Sequence, residues 1–198
     1  VPQPFYAQQD QVVPFFAAIA ARVELPLVVQ DLEWSGPGLS IQVIEELHSS
    51  VPTLGGIKVE TVPAGPKYTQ VRQSLGSEFF VAGGWAAPQM IEALDRGVDA
   101  MIPECSMVPV YAEVYRLHSA GRRDDALALF RQLLPVLAFA NQEIWTSIAF
   151  FKRLLVRKGI FRSALLRGGD FRWDEFNSRI ADELIDGYLA LERRVPGQ

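Results

Sequence analysis

Apolar positions between Gln9 and Val23 recur at helical spacing, with Val12, Val13, Phe16, Ile19 and Ala20 on one stripe and Asp10 as an acidic first-turn residue. The period then changes. Leu25 to Val29 is a short apolar run followed by Gln30-Asp31-Leu32-Glu33 and the turn Ser35-Gly36-Pro37-Gly38, the pattern of a buried strand ending in a polar loop. Ser40 is placed to cap a helix running to about Ser50, with Ile41, Ile44 and Leu47 on its stripe. Leu54 to Glu60 reads as a strand and Pro63-Ala64-Gly65-Pro66 as a loop. A helix over Tyr68 to Leu75, a strand over Phe79 to Ala82, a helix over Pro88 to Asp95, a strand over Ala100 to Ile102 and a helix over Val108 to Ser119 follow. Strands alternating with helices across short loops predict an α/β fold with a parallel sheet and right-handed crossovers, either open and doubly wound or closed as a barrel. After Gly121 the alternation stops, and 124–137, 142–158 and 174–192 carry helical periodicity with no strand between them. This predicts a three-helix appendage. The first six residues hold two prolines and two aromatics and read as a strand running out into a loop.

A chain of 198 residues can bury a sizeable core as one large domain or one domain with an appendage. Apolar residues make up 49% and charged ones 21%, which excludes disorder, and a net charge of −4 argues against a nucleic-acid partner. The single Cys105 excludes an internal disulfide and a multi-cysteine metal site, so a reducing cytoplasm is the expected compartment. No signal peptide is visible, and no apolar run approaches the roughly 20 residues that span a bilayer. No GxGxxG or Walker motif supports a nucleotide, and neither a cofactor nor a metal is expected.

In parallel α/β sheets the chemistry sits at the C-terminal ends of strands and in the loops that follow. That filter selects Gln30, Asp31 and Glu33; Lys58 and Glu60; Gly83, Gly84 and Trp85; and Glu104 and Cys105. Alternation sends Ile57 and Val59 to one face and Lys58 and Glu60 to the other. Lys58 is then either an edge-strand lysine in water or a desolvated amine able to attack a ketone or aldehyde. Asp31, Glu33 and Glu104 also fit solvated loop acids, and Gly83-Gly84 a tight turn. Cys105 reads as a small packed residue, His48 and His118 as structural at helix C-termini, and Trp145, Phe150 and Phe151 as packing.

With these segments in hand, the chain resembles the dihydrodipicolinate synthase / N-acetylneuraminate lyase family of Schiff-base aldolases. Pro4-Phe5-Tyr6 is similar to the family's Pro-Tyr-Tyr segment after barrel strand four, Leu54-Gly55-Gly56-Ile57-Lys58 to its Gly-Ile-Lys strand, and Ala82-Gly83-Gly84 to its Ser-Gly-Asp turn. The resemblance implies the C-terminal half of a TIM (β/α)8 barrel, strands five to eight, over residues 1–119, with a helical region over 120–198. It implies a lyase in which Lys58 forms an imine with pyruvate or a related 2-oxo acid, for aldol addition, cleavage or dehydration. The backbone around Gly83 and Met101 would hold the keto acid. Tyr6 matches a tyrosine of a proton relay across a subunit interface, and a homo-oligomer, dimer or tetramer, is implied. Two departures stand out. The family's principal catalytic tyrosine falls on Gln30, and the arginine expected a few residues later is missing from Glu33-Trp34-Ser35-Gly36. The Pro63-Ala64-Gly65-Pro66-Lys67 loop also differs, so a divergent member is expected.

By the same comparison the chain starts at the end of the fourth strand and reads as a fragment, which would pair with another chain or be poorly stable. The alternative activity is a divalent-metal barrel enzyme using Asp31, Glu33, Glu60 and Glu104 as oxygen ligands. Gln30 motivates a third reading, a pseudoenzyme that keeps a keto-acid pocket.

Overall fold

The computed structural model describes all residues except 3, 5–7, 86, 87, 170, 197 and 198. The elements are α1 (Gln9–Ala20), β1 (Leu27–Glu33), α2 (Ile41–Ser50), β2 (Leu54–Thr61), α3 (Ala64–Leu75), β3 (Phe80–Gly83), α4 (Met90–Asp95), β4 (Ala100–Met101), α5 (Val108–Ser119), α6 (Arg123–Arg131), α7 (Leu134–Ala140), α8 (Ile144–Arg157) and α9 (Glu175–Glu192). They form two compact units, Val1–Pro103 and Glu104–Gln198.

The first unit is a parallel sheet in the order β1-β2-β3-β4. Val29, Ile57 and Val81 lie in one register row and bury against Val12 and Phe16 of α1, Ile44 and Leu47 of α2 and Tyr68 and Val71 of α3. The strand order has no reversal, and the helices share one face, which is the winding of a barrel wall and not of a doubly wound sheet. Ser40 caps α2 as its position predicts, its hydroxyl accepting from Val43 N–H at 3.3 Å. Pro2 pairs in parallel with Gln30 on the edge of β1 away from β2.

β1 runs to Glu33, so Gln30 and Asp31 belong to the strand and not to the loop expected after Val29. The reason is a buried ion pair. Asp31 has no solvent exposure; its Oδ1 accepts from Leu39 N–H at 3.0 Å and its Oδ2 lies 3.4 Å from Lys67 Nζ, an ionic contact. Lys67 also donates to the carbonyls of Pro37 (2.6 Å) and Leu39, which ties the 33–39 loop to α3. Helix α3 starts at Ala64, earlier than expected, because Pro66 falls in the first turn, where its missing N–H costs nothing.

Lys67→Met strands a buried carboxylate and should lower the unfolding free energy by about 3–5 kcal/mol in urea titrations. Adding Asp31→Asn, which keeps an acceptor for Leu39, should restore most of the loss. Burial raises the Asp31 carboxyl above its ordinary range, with Lys67 opposing the shift. The folded state therefore binds more protons than the unfolded chain above about pH 3.9. This stabilising contribution is complete below that pH and is lost as pH rises through the folded pKa. Urea midpoints of the wild type should fall relative to Asp31→Asn as pH rises from about 4.

The second unit is helical. The single helix expected over 124–137 is two, α6 and α7, because Pro135 has no N–H for the helical ladder and its ring crowds the preceding turn. Asp174 caps α9, accepting from Asn177 N–H at 2.7 Å. Glu104 is no solvated loop acid: it is turned inward ahead of α5, accepting from Ser106 N–H (2.6 Å) and Met107 N–H (3.2 Å), and burial raises its carboxyl above the ordinary range. Cys105, expected to be packed, is exposed beside this turn. Lys158 Nζ donates to Ser106 O (2.8 Å) and pairs with Glu192 (2.6 Å), which also accepts from Tyr188. Phe150 and Phe151 are buried as expected, whereas Trp145 is largely exposed. Among the described residues no helix is long and apolar enough to cross a membrane.

Candidate active site

Strand β2 carries the site. Lys58 is in register with Gln30 of β1 and Ala82 of β3, so these side chains leave the sheet on the face opposite Ile57 and Val59. Ala82 is small and leaves the lysine room. Glu60, two residues further on, projects from the same face, and Lys58 Nζ lies 3.0 Å from its Oε1. The Lys58 side chain is 18% exposed and that of Glu60 6%, so the lysine keeps some contact with solvent while its partner is almost dry.

Glu60 is held from two further sides. Its Oε1 accepts from the Trp85 backbone N–H at 2.7 Å, and its Oε2 accepts from Gln30 Nε2. One carboxylate thus receives an ammonium, a backbone amide and a side-chain amide. Charge-assisted bonds of this kind are short and strong, and together they fix the carboxylate beside the amine.

The two glycines after β3 clear opposite faces. A Cβ on Gly83 would come within 2.5 Å of the Tyr68 hydroxyl and 2.7 Å of Met101 Sδ, on the helix side. A Cβ on Gly84 would collide with Glu60 Oε1 and come within 2.5 Å of Lys58 Cε, on the site face. Gly83 is therefore a packing requirement, and Gly84 a requirement of the lysine–carboxylate pair. Tyr68 belongs to the core layer; burial, then the charges of Glu60 and Glu92, push its phenol well above the usual range. It does not stand in for the tyrosine that the resemblance would place at Gln30.

Of the residues selected from the sequence, Lys58, Glu60 and Gln30 come together: alternation puts the first two on one face, and Gln30 reaches the carboxylate from the neighbouring strand. Met101 pairs in register with Gly83 at the sheet's C-terminal end, where the Gly83 carbonyl accepts from Ile102 N–H at 2.8 Å. Tyr6 lies outside the described residues. The acids of the metal alternative are not assembled. Asp31 faces the helices, Glu33 is bonded to Ser35 (2.9 and 2.7 Å) and Glu60 to Lys58. Among the described residues no group of three or more His, Cys, Asp or Glu is placed to hold a metal ion.

The sheet winding, with helices on one face and the Lys58–Glu60 pair on the other, places the chain among barrel-type α/β proteins. The particular assignment follows from comparison with known proteins. The chain belongs to the Dihydrodipicolinate synthetase family, which matches residues 2–168. It is 24% identical over 162 residues to an L-2-keto-3-deoxyarabonate dehydratase of Azospirillum brasilense, covering 80% of this chain and 51% of that protein. The 4-hydroxy-tetrahydrodipicolinate synthase of Methylacidiphilum fumariolicum SolV superposes with a TM-score of 0.85 at 20% identity, over 98% of this chain and 65% of the other. A sialic acid aldolase of Ruminococcus gnavus gives a TM-score of 0.83 at 16% identity, over 98% and 65%. The chain thus spans about half the length of the dehydratase and 65% of these two structures.

Proposed function

We propose that Lys58 forms an imine with pyruvate or a related 2-oxo acid, and that Glu60 carries the protons of the lyase reaction that follows. The observation that supports this best is the 3.0 Å contact between Lys58 Nζ and a carboxylate already bonded to Gln30 and to the Trp85 amide. An ammonium cannot attack a carbonyl, so the lysine must first give up a proton, and Glu60 Oε1 is in position to take it. The amine lone pair then adds to C2 of the keto acid, and the carbinolamine takes a proton and leaves as water and an iminium. The iminium withdraws electrons from C3, whose proton is removed to give an enamine. From there C3 adds to an aldehyde carbon, or a hydroxyl on C4 is protonated and leaves as water. In this scheme Gln30 is a positioning residue, since its amide orients Glu60 and the Gln30–Glu60 pair takes the place of the family's tyrosine. The Gly83 and Met101 backbone borders the position of the keto acid carboxylate.

The same reading makes the chain strands five to eight of a (β/α)8 barrel with a helical appendage. A homo-oligomeric, cytoplasmic protein is the setting it favours, and Tyr6 would serve the relay across the subunit interface. The test is deuterium exchange. In D2O the chain should catalyse loss of the C3 proton signal of pyruvate, followed by NMR, and borohydride added with pyruvate should stop the exchange irreversibly. Exchange at the buffer rate would refute the proposal. Gly84→Ala, which pushes Glu60 and Lys58 apart, should slow the exchange by about a hundredfold. The Lys67→Met variant, whose defect lies on the helix side, should exchange normally wherever it is folded.

A further inference from the structure

Trp34 follows β1 and Trp85 follows β3, the two neighbours of the strand that carries Lys58. Adjacent strands lie roughly 4.8 Å apart, so β1 and β3 are separated by twice that distance. Nevertheless the two indoles meet, with centroids 5.0 Å apart and planes inclined at 41°. The pair therefore closes over the C-terminal end of β2. Trp34 remains 49% exposed, which is a large apolar surface to leave in water. Trp85 has φ +52°, a conformation that glycine adopts freely and side-chain-bearing residues adopt at a cost. Its N–H holds Glu60 Oε1 in that conformation, so the same strained residue sets both the acid and the indole.

The surroundings favour an uncharged, flat group. Neither loop, 32–38 nor 83–89, contains a basic residue, and Glu33 would repel an anion. A cavity of about 520 Å³ beside the pair is lined by Leu32, Glu33, Trp34 and Ser35. That volume exceeds the ~150 Å³ known to hold a benzene ring. We propose that Trp34 and Trp85 form the binding wall for an aryl group carried by the substrate beyond its 2-oxo acid end. Neither of these two loops offers a distal carboxylate a cation, whereas an aryl ring in the cavity gains stacking on the exposed Trp34 indole, which Trp85 backs. The inference rests on the imine reading for where the 2-oxo acid lies, and the indole wall is tested separately from it.

Two measurements on the 198-residue chain decide it. Borohydride trapping should be half-maximal for benzylidenepyruvate at about a tenfold lower concentration than for pyruvate, 2-oxoglutarate or 2-keto-3-deoxygluconate. Trp34→Ala should erase that advantage without changing the pyruvate value, and Trp34→Phe should keep most of it. In Lys58→Ala, where no imine forms, calorimetry should still detect cinnamate binding, and the added Trp34→Ala should abolish it. Equal trapping of all four acids overturns the proposal. So does a preference for the deoxy sugar acid that Trp34→Ala removes, which would make the wall a polyol site. If no acid is trapped, the imine reading fails alone, and cinnamate binding that depends on Trp34 supports the aryl wall while its absence overturns it.

Discussion

Lys58→Ala should reduce pyruvate C3 exchange to the buffer rate, a loss of about 10⁵-fold or more, in line with removal of a covalent nucleophile elsewhere. The chain has three other lysines, and each is occupied elsewhere. Lys67 is locked to Asp31 on the helix side of the sheet, Lys158 pairs with Glu192 in the second unit, and Lys152 donates to the Leu165 carbonyl at 2.7 Å. None of them shares the sheet face of Lys58 and Glu60. The loss should therefore be complete and not partial. The variant should remain folded, because Lys58 contributes no packing to the helix-side core. NMR exchange rates together with a urea melt measure both parts of this expectation.

Glu60→Gln should separate bond formation from proton movement. A glutamine can still accept from the Trp85 amide and fill the same space, but it cannot take a proton from Lys58 or return one to substrate. C3 exchange should fall by about 10²–10⁴-fold, the usual range for a positioned acid–base group, while pyruvate remains trappable by borohydride over long incubation. Gln30→Ala should have a weaker effect of the same kind, about tenfold, because it loosens Glu60 without removing it. If Glu60→Gln exchanges at the wild-type rate, the carboxylate is only a counter-ion to Lys58 and the proton moves elsewhere.

Much of the fold is legible in the sequence, and the failures have local causes. Ser40 and Asp174 both cap helices whose stripes mark them, so α2 and α9 are readable to within a residue. Strand β1 is not, because Asp31 reads as a loop residue until Lys67, thirty-six positions away, supplies the charge that lets it stay buried. Pro135 inside a helical stripe signals the break between α6 and α7, a local cue that periodicity overrides. At the site, alternation places Lys58 and Glu60 on one face, and β2 shows them there. What alternation does not convey is that Gln30 lies opposite Lys58 and reaches Glu60, since register between strands is set by packing along the whole sheet. The glutamine that stands where the resemblance puts a catalytic tyrosine is, in three dimensions, a support of Glu60.

Labelling locates the imine bond proposed for Lys58 directly. The chain is incubated with ¹³C-labelled pyruvate and borohydride, digested and mapped by mass spectrometry, in the wild type and in Glu60→Gln. The account predicts one reduced pyruvate unit on the peptide containing Lys58 in both proteins. Label on Lys67, Lys152 or Lys158, or no label under conditions that trap a known Schiff-base aldolase, would contradict it.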